Sequence, residues 1–365
     1  MAGIYIHIPF CKQACHYCNF HFATSLHYKN DLIAALLKET TLQKDYLENE
    51  VVETIYFGGG TPSLCTKEEV KNILGAIHSS FKVIKNAEIT LEANPDDITE
   101  EKLLDWKETG INRLSIGIQS FFEEDLKWMN RAHNEQQAIG NLQLAIKQFN
   151  NITIDLIYGT PQLTNEKWKH NVDTAVSLNI PHLSCYALTV EPKTPLDKMI
   201  KRHQSENINA DKQSEQFLLL MQWLEDAGYE HYEISNFAKP GWRSRHNSSY
   251  WQGKKYLGLG PSAHSFNGKE RQWNISNNNQ YIESVNKNII PSEKEELTSI
   301  QQVNEYIMTS LRTMEGISLE IAGKDLLQKS KKFIDSGLMK LENNSLILTK
   351  EGKLLADGIA AELFF

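Results

Sequence analysis

Three cysteines stand close together near the start of the chain, Cys11, Cys15 and Cys18, spaced C-x3-C-x2-C. Three thiolates on one tight loop are a soft donor set and suit a cubane iron–sulfur cluster, one iron of which is left without a protein ligand. Zinc requires a fourth donor, which His16 or His21 is near enough in sequence to supply. A disulfide strands the third thiol, and nothing marks the chain for export. Cys65 and Cys185, the remaining two, read as buried or loop thiols.

Other groups with chemical potential sit at the ends of apolar runs. Gly58-Gly59-Gly60-Thr61 closes the run Val51–Phe57, and consecutive glycines let backbone N–H groups approach a ligand closely. Glu92, Gln119, Asp155 and Tyr186 fall at the ends of four further runs. Carboxylates accept from hydroxyls, and the fork of Arg131 pairs with a carboxylate.

The elements that position these groups follow from periodicity. A short strand, Ile4–Ile8, precedes the cysteines, and Tyr28–Leu47 carries apolar residues at helical spacing. Strands are expected at Val51–Phe57, Ala87–Ala93, Arg113–Gln119, Ile152–Tyr158 and His182–Val190, with helical segments between them, including Glu135–Phe149 and Glu166–Leu178. Thr99 is expected to cap the helix after Ala93. Six strands alternating with helices imply right-handed parallel βαβ units. We expect an α/β protein, a partial (β/α)6 TIM-type barrel open along one side, whose ligand site lies at the C-terminal strand ends.

A long helix, Asn207–Ala227, leads into Tyr229–Trp251, dense in aromatics, amides and histidines, and then the glycine-rich Tyr256–Phe266. Glu293–Leu311 reads as a helical connection. From Leu319 two short helices, a hairpin at Asn343-Asn344 and a last helix from Lys350 suggest a small α+β winged-helix-like domain. Its seven basic and seven acidic residues give little affinity for nucleic acid; packing against the barrel or docking a partner is preferred. The expected partition is 1–228, 229–290 and 291–365.

At 365 residues and a net charge of −8 the chain is long enough for a large and a small domain and has no electrostatic footprint for nucleic acid. No apolar run approaches a membrane span and no signal peptide is expected, so a cytoplasmic location is.

The cysteine motif with Tyr17 before its last member, directly after a first strand, resembles the radical S-adenosylmethionine (SAM) signature. With GGGTPS at Gly58, LEANP at Leu91, GIQSF at Gly117, DLIYGTP at Asp155, YEISNFAKPG at Tyr232 and H-N-x-x-Y-W at His246, the chain resembles the oxygen-independent coproporphyrinogen oxidase family over residues 4 to about 266. The resemblance implies a [4Fe–4S] cluster on Cys11, Cys15 and Cys18. It also implies a SAM site drawn from Tyr5, Tyr17, Gly59, Gly60, Thr61, Glu92, Gln119, Arg131, Asp155 and Ala187.

Dehydrogenases of that family carry a further cysteine two residues past the third and an N-terminal extension; here position 20 is Phe20 and two residues precede the first strand. Both departures resemble the haem chaperone branch, which binds haem and hands it to an acceptor. That resemblance makes His246 the haem-ligand candidate, with His231 and His264 behind it. Tyr250 and Trp251 would offer faces for the porphyrin, and Arg243 and Arg245 cations for its propionates. A reduced electron carrier is a further implied partner. The competing expectation is an enzyme that oxidatively decarboxylates coproporphyrinogen III.

Overall fold

The structure, a computed structural model, describes residues 1–323 and 325–365. The first half of the chain alternates strand and helix: β1 (Ala2–Ile8), α1 (Lys29–Leu42), β2 (Val52–Gly59), α2 (Lys67–Ser80), β3 (Val83–Ala93), α3 (Glu100–Thr109), β4 (Arg113–Gln119), α4 (Glu123–Trp128), α5 (Glu135–Gln148), β5 (Ile152–Tyr158), α6 (Asn165–Ser177) and β6 (His182–Ala187). The six strands pair in parallel in chain order. Their inward and outward side chains are both covered, so the runs are nearly all apolar. Ile4, Ile6, Phe57, Leu91, Leu114, Ile116, Ile154 and Leu183 anchor one continuous core with the helices around it. Thr99 caps α3 as expected, accepting from the Lys102 N–H. The partial barrel is present.

The sheet extends past both barrel edges. After α7 (Pro195–Lys201) and α8 (Ala210–Asp226), β7 (Glu230–Glu233) and β8 (Asn236–Ala238) form a hairpin antiparallel to β6. The chain then crosses beneath the barrel through α9 (Arg245–Trp251) and lays β9 (Lys255–Leu259) parallel to β1. β10 (His264–Phe266) and β11 (Glu270–Asn274) follow, then α10 (Asn278–Asn286) and β12 (Ser292–Glu296), giving a sheet of 12 strands. One stretch left unassigned gains structure here and one expectation changes. The glycine-rich Tyr256–Phe266 is two strands with a turn, and residues 292–296 are an edge strand on β11 rather than helix. Ser-Glu-Lys-Glu-Glu suits an exposed edge, because charge blocks pairing with another sheet.

The C-terminal unit has a small core of its own, built from Ile307, Leu326, Phe333, Leu346 and Ile359. It runs α11 (Ser299–Leu311), β13 (Ile317–Ser318), α12 (Leu319–Ala322), α13 (Asp325–Asp335), β14 (Met339–Glu342), β15 (Ser345–Leu348), α14 (Lys350–Lys353) and α15 (Ala356–Leu363), with a three-stranded antiparallel sheet. The hairpin turns at Asn343 and Asn344, both at positive φ, as Asn tolerates. The unit packs on the barrel through Arg312 with Glu233 (3.2 Å) and Arg243 with Glu315 (2.7 Å).

Candidate functional site

The C-terminal ends of β1–β6 surround a cavity of about 440 Å³, within the span of small-molecule sites, roughly 300–1,000 Å³. Cys11, Cys15 and Cys18 line one wall. The loop carrying them is closed at its base by Cys11 N–H to Ala23 O (3.0 Å) and Ala23 N–H to Pro9 O (2.9 Å). Its far side rests on the turn after α4. Asn130 accepts from Gln13 Nε2 (2.7 Å) and donates to Ala14 O (2.8 Å), and the His16 N–H donates to Met129 O (3.1 Å). These contacts fix the loop that carries the sulfurs. Burial pushes the Cys11 thiol up to about 11, and that of Cys18 upward too.

Of the ten residues expected around SAM, nine line this cavity: Tyr17, Gly59, Gly60, Thr61, Glu92, Gln119, Arg131, Asp155 and Ala187. Tyr5 is not brought to it; its ring lies beneath, stacked on Tyr56 with centroids 6.0 Å apart. Glu92 and Asp155 are both half-buried in the wall, which also carries Arg131. Burial, with the charge of Asp155 nearby, raises Glu92 to about 8 despite the hydroxyl of Tyr56 donating to Oε1 at 2.8 Å. Burial likewise raises Asp155 to about 6, against the pull of Arg113 and Arg131. Two destabilised carboxylates favour a positively charged ligand bearing hydroxyls.

Arg131 donates to Cys15 Sγ (3.3 Å), Asn94 Oδ1 (2.6 Å) and Gly117 O (2.8 Å), while its buried Nε has no partner. Gln119 holds φ +67, a conformation rare outside glycine that persists where surroundings impose it. These residues fit the groups the motif implies: sulfur donors for the cluster, carboxyls toward sulfonium, amine and ribose, and an arginine with a spare donor toward a carboxylate. Among the described residues no three His, Cys, Asp or Glu side chains converge as one ion would require; the three thiols are set along one wall of the cavity instead.

The glycines have a packing reason beside the ligand one. A Cβ at Gly60 would lie 2.7–2.8 Å from backbone atoms of Ile8 and Phe10, and one at Gly59, at φ +104, would meet the His7 ring. Sequence reasoning missed Asn94, Ser115 and Gly117 in the cavity wall and Arg113 beneath it. Asn94 precedes Pro95 and reads as a turn, and an arginine opening a strand reads as surface, although Arg113 is 1% exposed.

His246 lies apart from this cavity. It sits at the opposite end of the barrel, beside Gly3 and Thr54 at the N-terminal ends of β1 and β2, and is 1% exposed. Its Nδ1 contacts Thr54 Oγ1 (2.8 Å), its Nε2 the Tyr250 hydroxyl (2.9 Å), and its ring stacks on Tyr56. Glu88 caps α9 by accepting from the N–H groups of Arg245 and His246. With both nitrogens engaged and no path to solvent, this imidazole is closed to a porphyrin in this arrangement. Arg243 is spent on Glu230 and Glu315, and Arg245 on Asn86 O. His231 is half-buried between Ile234 O and Lys353; His264 is exposed near the β9–β10 turn.

Comparison with known proteins agrees with this geometry. The model of the radical SAM superfamily matches residues 5–175. The chain is 33% identical to the heme chaperone HemW of Bacillus subtilis over 98% of both chains. It is 32% identical to that of Mycobacterium tuberculosis over 99% of this chain and 94% of the relative. Among solved structures it resembles coproporphyrinogen III oxidase (HemN) from Escherichia coli at TM-score 0.86 and 22% identity, over 100% of this chain and 90% of that one. With three cysteines and a cavity at the mouth of a partial barrel, and relatives matched over nearly their full length, this chain belongs to the HemW family of radical SAM proteins.

Proposed function

We propose that this protein is a cytoplasmic haem chaperone that takes up haem and passes it to an acceptor protein. The observation that carries the reading is the near-full-length likeness to relatives named for that role, on a chain with Phe20 in place of a further sulfur donor. Phe20 lies at the rim of the cavity and is 67% exposed. The cytoplasm suits five free cysteines.

Cys11, Cys15 and Cys18 would hold the cluster, which supplies one-electron chemistry when bound. Around it Glu92 and Asp155 orient cationic and hydroxyl groups, Arg131 takes a carboxylate, and Tyr17 and Ala187 shape the wall. Electrons would come from a reduced carrier. His246 is the haem ligand only of a state in which α9 has left the barrel foot, parting the imidazole from Thr54 and Tyr56, and in which the Tyr250 side chain on the same helix has turned away from Nε2.

The test is anaerobic reconstitution followed by haem titration of wild type and His246→Ala, with porphyrin products measured in parallel under reductant and SAM. The reading expects saturable haem binding, transfer to an apo-haemoprotein, and no protoporphyrinogen from coproporphyrinogen III. Formation of that product would favour the dehydrogenase. Unchanged haem affinity in His246→Ala would remove that histidine as ligand.

A further inference from the structure

Two of the cluster cysteines are joined by one hydrogen-bonded chain whose direction is fixed by chemistry. A guanidinium only donates. Arg131 Nη2 therefore faces the carbonyl oxygen of Asn94, at 2.6 Å. That turns the amide nitrogen of Asn94 toward Thr61 Oγ1, at 3.2 Å. With its oxygen accepting there, Thr61 spends its single proton on Cys11 Sγ, at 3.5 Å. The other arm of the same guanidinium, Nη1, donates to Cys15 Sγ at 3.3 Å. One buried cation thus sends a direct hydrogen bond to one thiol and a relayed one to another. Gly117 completes the mounting: its carbonyl accepts from Arg131 Nη2 at 2.8 Å, and a Cβ there would stand 3.1 Å from that nitrogen.

We infer that Asn94 and Thr61 are positioning residues that carry the charge of Arg131 to Cys11 and hold the cluster's reduction potential up. Donors aimed at a coordinating thiolate stabilise the more negative, reduced form and raise the potential. Chains of such bonds polarise one another, so the relay adds to what a lone hydroxyl would give. Asn94 lines the cavity, yet its polar atoms are committed to Arg131 and Thr61, which separates this role from contact with SAM. The inference rests on the cluster assignment above.

The experiment is a redox titration of the reconstituted protein, following cluster absorbance and the electron paramagnetic resonance of the reduced state. Wild type, Thr61→Val, Thr61→Ser and Asn94→Leu are compared, each with iron counted and SAM affinity measured separately. Thr61→Val and Asn94→Leu are expected to shift the midpoint to more negative potential, and Thr61→Ser, which keeps the donor, to restore it. A fully loaded Thr61→Val protein with the wild-type midpoint overturns the inference while leaving the cluster intact. So does a Thr61→Ser midpoint as low as that of Thr61→Val. A wild type that loads no cluster overturns the underlying assignment and the inference with it, and the iron count tells that failure from the others.

Discussion

Tyr56 and His246 stack inside the barrel with ring centroids 4.9 Å apart and planes 23° apart. Because the Tyr56 hydroxyl also donates to Glu92 at the cavity, one side chain touches both the mouth and the H-N-x-x-Y-W helix at the foot. Tyr56→Phe keeps the stack and removes the donor. A half-buried carboxyl then loses its hydroxyl partner, a change that costs about 1–3 kcal/mol. Urea denaturation should show a lower midpoint at unchanged slope; an unchanged midpoint would mean that Glu92 does not depend on this bond.

His246→Ala removes the partner of two buried hydroxyls as well as the stacked ring. The cavity and the orphaned Thr54 and Tyr250 together are expected to cost about 2–4 kcal/mol. His264→Ala, at an exposed position, should stay within about 0.5 kcal/mol of wild type. Equal stability for the two variants would contradict the structural role given to α9.

Stability should peak near neutral pH for reasons of opposite sign. Burial lowers His7 to about 4 and His133, His231 and His246 to about 3, with His182 lowered as well. Their contribution is complete above the unfolded value of about 6.5 and is lost as pH falls from there toward the folded values. Burial raises Glu39 to about 7, Asp155 to about 6 and Glu92 to about 8. What these carboxyls contribute is complete below about pH 4 and is lost as pH rises through those folded values. With His264 also lowered and Asp125 also raised, the histidines still outnumber the carboxyls on the acid side, and between pH ~6.5 and ~8, below the range of the lowered Lys353, the carboxyls dominate. Denaturation midpoints of the ligand-free protein should therefore be highest close to pH ~6.5; a steady rise from pH 6 to 8 would contradict the placement of Glu39 and Glu92.

Much of the barrel was legible in the chain. β4 and β5 match the expected runs residue for residue, because a strand covered on both faces leaves an unbroken apolar string between turn residues. The extension from β7 to β12 was not, since its strands are 3–5 residues long and are held by neighbours far away in sequence. Glu39 shows why: it accepts from Gly260, Asn274 and Tyr281, pinning the new edge to α1 with contacts no local pattern announces. Gly59, Gly60, Thr61, Glu92, Gln119 and Asp155 were legible because strand ends mark the mouth, whereas Tyr17, Arg131 and Ala187 came from the family resemblance. The place of His246 at the barrel foot was not legible, because a cluster of aromatics, amides and histidines describes a plugged barrel foot as well as it describes a ligand site.

Gly60→Ala sets a methyl against backbone rather than movable side chains. The β1–cysteine loop junction must shift, and the variant is expected to load less iron than wild type. Gly140 in α5 has nothing within 4 Å of a Cβ, so Gly140→Ala should stabilise by about 0.5–1 kcal/mol. Iron content and thermal melting of the pair check both statements.

The most direct test of the account is iron and acid-labile sulfide per chain after anaerobic reconstitution, read with the visible spectrum. Wild type should be brown and hold about four irons, and Cys15→Ala should lose that cluster while keeping its fold by circular dichroism. A colourless, folded wild type without stoichiometric iron would contradict the assignment of Cys11, Cys15 and Cys18.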